Sequence, residues 1–308
     1  MPESHTTVTQ FAVLQRVLDG LMRRYQQRVP NVAKILEAMK QEGIIANAQD
    51  AENDHIAFRT LDVEHLGIRS LEKIFLHYGY ERRDAYDFPE KKLDAFWYHP
   101  PRSDLPRLFL SELRVTELTP EAQRIIHSYT DEVTSDPVDA LDLDDAEQVD
   151  HFLHHALWHL PTLSDYQFLQ AESEYAAWVI YNRYYLNHFT IAVHNLPDGY
   201  DTIASFNAFL ERHHFTLNDA GGKIKTSPDG KLLQSATVAE MVTARFAGGE
   251  EHLIAGSYVE FAERRPLDAF ADWPRQQLRR EQRREGFEAH NADRIFESTY
   301  SSQTQETK

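Results

Sequence analysis

The sequence predicts an α+β protein in which two βαβββ modules share one curved mixed sheet around a cavity, with helices added before, between and after them. Three observations predict it. Two stretches far apart in the chain, 51–118 and 181–270, each read as a strand, a helix and then further strands. Each opens on a polar residue followed by a histidine, Asp54-His55 and Asn187-His188. Each closes on a strand bearing Ser and then Glu, Ser111-Glu112 and Ser257-Tyr258-Val259-Glu260. Internal repetition of this kind decides the fold before any single element does.

Residues 1–50 read as a helical cap. From Thr7 to about Gly43, Phe11, Leu14, Val17, Leu18, Leu21, Met22 and Tyr25 recur at three- and four-residue steps, Pro30 interrupts, and Val32, Ile35, Leu36 and Met39 begin a second helix. In 51–118, HIAFRTLDV is a strand, LGIRSLEKIFLHYGY a helix ending at Gly79, and LDAFWYHP and RLFLSELRV further strands. Residues 119–180 return to helix as an insertion, opened by Thr119 as N-cap with Pro120 at the first helical position, and they contain the acidic linker SDPVDALDLDDAEQVD. The second module, 181–270, has LNHFTIAVHNL as its opening strand, a helix from Asp201 to His213, and strands around LLQSATVAEMVTARF and HLIAGSYVEFAER. From Trp273 the segment 271–308 predicts a charged helix with a turn at Gly286 and then a polar tail; its basic run, balanced by glutamates, reads as a solvated helix face.

The composition narrows the function. At roughly 100–200 residues per domain, 308 residues fit one large or two small domains, and 42% hydrophobic with 11% aromatic residues is a globular composition. Asp and Glu number 49 against 32 Lys and Arg, a formal charge of −17 that repels nucleic acid and anionic membrane. An anionic substrate would therefore need a local cation. The absence of cysteine removes disulfides, thiolate nucleophiles, iron–sulfur clusters and Cys-type zinc sites, so metal chemistry must use nitrogen and oxygen. No basic segment followed by an apolar one opens the chain, and no apolar run reaches the ~18 residues of a membrane helix. A cytoplasmic enzyme is the expectation.

A mononuclear non-haem iron(II) site takes two neutral imidazoles and one carboxylate on one face of the metal and leaves the other positions for substrate and dioxygen. Paired modules supply this if their opening strands line one cavity. His55 and His188 then converge and Glu260 completes the set, with Glu112, at the corresponding place of the first module, as its rival. Strand alternation puts Arg59 on the face of His55, where it could reach into the cavity, or form a salt bridge with Asp54, Glu81 or another acidic neighbour. In GGKIKTSPDG and beyond, Lys223, Lys225, Gln234 and Ser235 could line the cavity mouth and hold the far end of an anionic substrate. His151, His155 and His159 stand at four-residue steps in a helical stretch, but no HExxH accompanies them, so they read as structural. P-loop, GxSxG and dinucleotide fingerprints are absent.

At these residues the chain resembles the 2-oxoadipate dioxygenase/decarboxylases of the vicinal oxygen chelate (glyoxalase-like) superfamily. The matching segments include DHIAFRT, YDFPEKKLDAFWYHPP, LFLSELRVTELTPEAQ, NHFT, GGKIKTSPDGKLLQSAT, GSYVEFAER and NADRIFEST, and they run through most of 50–300. The resemblance implies a metal site of His55, His188 and Glu260, iron(II) as cofactor, and Arg59 as a ligand for substrate carboxylate. It implies conversion of 2-oxoadipate and dioxygen to 2-hydroxyglutarate and carbon dioxide in lysine catabolism. The competing readings are a glyoxalase-type metal isomerase or hydrolase, and a non-catalytic small-molecule binding protein.

Overall fold

The computed structural model describes residues 8–304; Thr7 and the last four residues of the expected polar tail lie outside them. Helix α1 (Val8–Arg28) and helix α2 (Pro30–Gln41) bury the apolar stripes expected of them, with Leu14, Val17 and Ile35 fully enclosed and Pro30 opening α2. The first module is strand β1 (Asn53–Leu61), helix α3 (Ile68–His77), and strands β2 (Glu81–Phe88), β3 (Leu93–His99) and β4 (Arg107–Leu113). Helices α4 (Pro120–Thr130), α5 (Ala146–Phe152), α6 (Leu163–Glu172) and α7 (Glu174–Asn182) follow. Thr119, Asp145, Thr162 and Ser173 cap them in turn through their side-chain oxygens.

The second module runs β5 (His188–Ala192), α8 (Ile203–Arg212), β6 (Lys225–Thr226), β7 (Leu232–Ala236), β8 (Met241–Arg245), β9 (Glu251–Ala255) and β10 (Tyr258–Arg264), and the chain ends in α9 (Ala289–Phe296) and α10 (Ser301–Thr304). Eight strands form one curved sheet in the order β2-β3-β4-β1-β5-β10-β7-β6. Its middle is the antiparallel pair β1/β5, flanked by two parallel pairs, β1/β4 and β5/β10. The halves therefore correspond, β4 with β10 and β3 with β7. The β8/β9 hairpin pairs only with itself, an addition to the second half that the apolar alternation did not separate from the sheet.

One sheet face is covered by the module helices: Phe58 meets Phe75 of α3 at 5.8 Å, and Phe261 meets Phe206 of α8 at 5.2 Å. Side chains alternate, so the residues between these, His55, Ala57 and Arg59 on β1 and Tyr258 and Glu260 on β10, face the other side.

The charged helix expected from Trp273 is not formed. Residues 275–277 and 280–282 are isolated 3-10 turns, and helix begins only at Ala289. Nor is the basic run solvated. Arg280 donates to the Ser103 and Leu105 carbonyls, Arg283 to that of Arg264, and Arg284 to that of Phe287. Guanidinium groups claimed by backbone carbonyls from distant parts of the chain favour an irregular strap over a helix.

Each module also closes its helix onto its last strand. Glu112 Oε2 accepts from the Ile68 amide at 2.7 Å, and Glu263 Oε2 accepts from the Ile203 amide at 2.8 Å, so each carboxylate sits at a helix N-terminus. Burial, aided by Asp62 and Asp94, nonetheless pushes Glu112 up to about 7. Between its ordinary value near 4.5 and that value, the folded chain keeps a proton that the unfolded chain gives up, so this group lowers stability as pH rises. Glu112→Gln should remove that slope, read as urea midpoints at about pH 5 and about pH 7.5. Identical slopes in the two proteins would contradict the assignment.

Candidate metal centre

Across the central seam, Ala57 of β1 is the register partner of His188 of β5, and Thr190, two residues on, is the partner of Glu260 of β10. This brings the imidazoles of His55 and His188 edge to face with ring centres 5.4 Å apart. Glu260 lies between them, Oε1 at 3.4 Å from His55 Nε2 and Oε2 at 3.1 Å from His188 Nε2. All three side chains are buried, and their donor atoms lie within 4.8 Å of one another. Ligands bound at 2.0–2.2 Å on adjacent vertices of one ion are themselves ~3 Å apart, so the three donors fit a divalent metal.

The residue before each histidine sets its ring. His55 Nδ1 lies 2.9 Å from Asp54 Oδ1, and His188 Nδ1 lies 3.0 Å from Asn187 Oδ1. A carboxylate only accepts, so Nδ1 of His55 carries the proton and Nε2 keeps a lone pair, the tautomer a metal ligand needs; the matching contact to Asn187 assigns His188 likewise. Asp54 is in turn clasped by Arg264, through Nε at 2.7 Å and Nη2 at 2.9 Å, and by Arg107 Nη1 at 3.1 Å. Burial raises the Asp54 carboxyl, but these two guanidinium groups hold it well below the usual carboxylate range. The histidines consequently differ. Burial lowers both and Glu260 raises both, yet the contact to the charged Asp54 helps turn His55 upward, whereas His188, with His55 and Arg59 acting against its charged form, stays lowered.

Glu260 is steadied from the far side. Gln234 Nε2 donates to its Oε1 at 2.6 Å, and Asn291 of α9 donates to Gln234 Oε1 at 3.0 Å. Arg59 is buried, donating through Nη1 to Thr299 Oγ1 and through Nη2 to the Phe296 carbonyl, with its guanidinium near the rings of Tyr175 and Trp178. It has no carboxylate partner among the described residues. The two suggested by sequence are engaged elsewhere, Asp54 with Arg264 and Arg107, and Glu81 with Arg83.

Phe109, Phe287, Ala292, Ile295 and Phe296 face the donors as an apolar wall and leave a cavity of about 20 Å³. A much larger cleft of about 870 Å³ lies between α1, the start of β1 and residues 278–283. It touches none of the three donors, and Asp54 is its link to them.

Several expected contacts are not made. Lys223 is exposed and pairs with Glu211. Ser235 alternates to the helix face, where it donates to Asn207 at 2.7 Å. Lys225 is buried with its Nζ on the Asn218 carbonyl, and burial brings it down to about 8 despite the field of Glu260. Gln234 reaches the site, but as a partner of Glu260. Glu112 is not the counterpart of Glu260, because the partner of the residue two beyond His55 is Phe109; Glu112 corresponds to Glu263. The histidines at 151, 155 and 159 do not share a helix, since α5 ends at Phe152 and His159 pairs with Glu132. Tyr258, Asn291 and Thr299 went unnoticed in the sequence, although Tyr258 stands two residues from Glu260 and alternation alone places it on the same face.

The model of the 2-oxoadipate dioxygenase/decarboxylase family matches residues 17–272. A 2-oxoadipate dioxygenase/decarboxylase of Oryza sativa subsp. japonica, chloroplastic/amyloplastic by name, is 40% identical over 300 residues, covering 93% of this chain and 79% of its own. The crystal structure of the hydroxyglutarate synthase from Oryza sativa in complex with 2-oxoadipate superposes with a TM-score of 0.89 at 38% identity, over 98% of this chain and 97% of that one. A protein of Ralstonia eutropha assigned to the glyoxalase superfamily, 20% identical over 91% of this chain and 86% of its own, shares the fold with a TM-score of 0.67. The expectation of a cytoplasmic enzyme is overturned by the plastid-located plant relatives.

Gln234→Ala should weaken divalent-metal binding roughly 10- to 100-fold by freeing the Glu260 carboxylate, measured by chelator competition with the full chain. Unchanged affinity would show that Gln234 does not hold the ligand.

Proposed function

The chain belongs to the 2-oxoadipate dioxygenase/decarboxylase family, and from that premise we propose that it converts 2-oxoadipate and dioxygen to 2-hydroxyglutarate and carbon dioxide, with iron(II) held by His55, His188 and Glu260. The balance closes without a further reductant: loss of the carboxyl carbon as carbon dioxide with oxidation of the keto carbon to a carboxylate gives up two electrons, and oxidation of the neighbouring methylene to the hydroxyl-bearing carbon gives up the other two that dioxygen takes. This reaction would serve lysine catabolism.

The observation that carries the reading is a buried triad of two histidines and one glutamate beside a buried arginine that no carboxylate neutralises among the described residues. Iron(II), when bound, supplies the redox centre and a Lewis acid for the 2-oxo acid. The protein's own groups do the rest. Asp54 and Asn187 fix the imidazoles with Nε2 inward. Arg59, already desolvated and clamped, offers a charge-assisted contact to a substrate carboxylate without having to leave another anion. This is the local cation that a chain of net charge −17 needs in order to draw in a dianion. Phe109, Phe287 and Phe296 keep water from the reacting carbons. A six-carbon diacid exceeds a cavity of about 20 Å³, so the aromatic wall has to turn aside as substrate enters.

Anaerobic reconstitution with iron(II), followed by oxygen-electrode assay, should show dioxygen uptake with 2-oxoadipate alone and formation of 2-hydroxyglutarate. Turnover that proceeds without dioxygen would instead indicate isomerase chemistry. His55→Ala or His188→Ala should abolish both metal binding and turnover, and full activity in either would remove the triad from the reaction. Arg59→Ala should raise KM strongly while metal content stays at the wild-type level.

A further inference from the structure

Among the described residues, Arg59 Nε and the Tyr258 hydroxyl, on the sheet face that carries the metal donors, have no hydrogen-bond partner, and Tyr258 lines the pocket. Both side chains are enclosed, at 1% and 0% exposure. A buried tyrosine ordinarily finds an acceptor, and in this chain Tyr78, Tyr80 and Tyr175 do, on the Leu143 carbonyl, the Pro106 carbonyl and Ser111. Tyr184 shares the lack of a partner but lines no part of the pocket. Tyr258 does line it, with its ring 4.8 Å from that of His188, on the strand face that carries Glu260. The Tyr25 hydroxyl uses the backbone carbonyl of Tyr258 and leaves its phenol free.

The setting of Arg59 says what the phenol is for. Its Nη1 and Nη2 already donate to Thr299 and Phe296, so the guanidinium has its Nε edge to spare, on the sheet face that also carries Tyr258. An N–H and an O–H, both donors and both unsatisfied, suit the two oxygens of one carboxylate. We propose that Tyr258 is a substrate-binding residue whose hydroxyl, together with Arg59 Nε, receives the carboxylate of the 2-oxo acid distal to its keto group. The assignment rests on the reading of the site as one for a 2-oxo diacid, whose keto end lies at the metal.

The test uses the full chain loaded with iron(II) under anaerobic conditions, titrated calorimetrically with 2-oxoadipate and with 2-oxohexanoate, which lacks the distal carboxylate. Tyr258→Phe keeps the ring against His188. It should leave metal stoichiometry and melting temperature unchanged and raise Kd for 2-oxoadipate roughly tenfold or more, the usual loss for a hydrogen bond to a charged group. Its Kd for 2-oxohexanoate should equal that of wild type. Wild-type Kd for 2-oxoadipate in the variant overturns the proposal. An equal loss for both acids overturns it as well, by assigning the tyrosine a purely structural part. Failure of the wild-type protein to bind 2-oxoadipate would bring down the substrate reading itself, a result visible before any variant is made.

Discussion

The site depends on a carboxylate that never touches the metal position. Asp54 is buried at the start of β1, where it orients His55 and is gripped by Arg264 from β10 and Arg107 from β4. One group thus joins the first module, the second module and a ligand. Arg107 continues to Glu285, and Arg264 to the Gly286 carbonyl, so the strap beyond the sheet is drawn into the same network. A buried ion cluster of this type contributes little net stability when intact but costs about 3–5 kcal/mol when one partner is removed. Its value here is geometric. It fixes the angle between two half-sheets that a single antiparallel pair, β1/β5, would leave freer.

The repeat explains how the two histidines meet, and its imperfections explain why one site forms. By register, Phe109 takes the place in the first half that Glu260 takes in the second, so the carboxylate comes from one side and an apolar surface from the other. Asp54 and Asn187 differ by one charge at corresponding positions, which gives the two imidazoles different electrostatic surroundings. An exactly symmetric ancestor-like arrangement would offer four ligands. The present one offers three, with an aromatic wall where the fourth would stand.

Much of this was legible in the sequence because β alternation and repetition are local signals. The strand HIAFRT, the polar residue before each histidine and the Ser–Glu endings needed no tertiary information to be seen. What failed was register. Matching Glu112 to Glu260 compared endings by composition, whereas hydrogen-bonded pairing shows that Glu112 and Glu263 share the task of holding a helix N-terminus. Gln234 and Ser235 could not both face the cavity, since neighbours on a strand point apart, and that error was avoidable. The strap was harder. Arginines in a charged run look solvated until the carbonyls that capture them are placed, and those come from residues far away in the chain, Ser103, Leu105 and Arg264. Asn291 and Thr299 were obscure for the same reason.

Apart from Phe109, the apolar wall and both clamps, Asn291 behind Glu260 and Thr299 beside Arg59, come from residues that follow every ligand in the chain. During synthesis at ~5–20 residues per second, the two half-sheets can therefore leave the ribosome and pair while the pocket still lacks its cover. A nascent protein at that stage would present its histidines and glutamate to water, with Arg59 unclamped. Competence for chemistry would arrive only with residues 287–299, whose docking turns a metal-ready sheet into a covered reaction chamber.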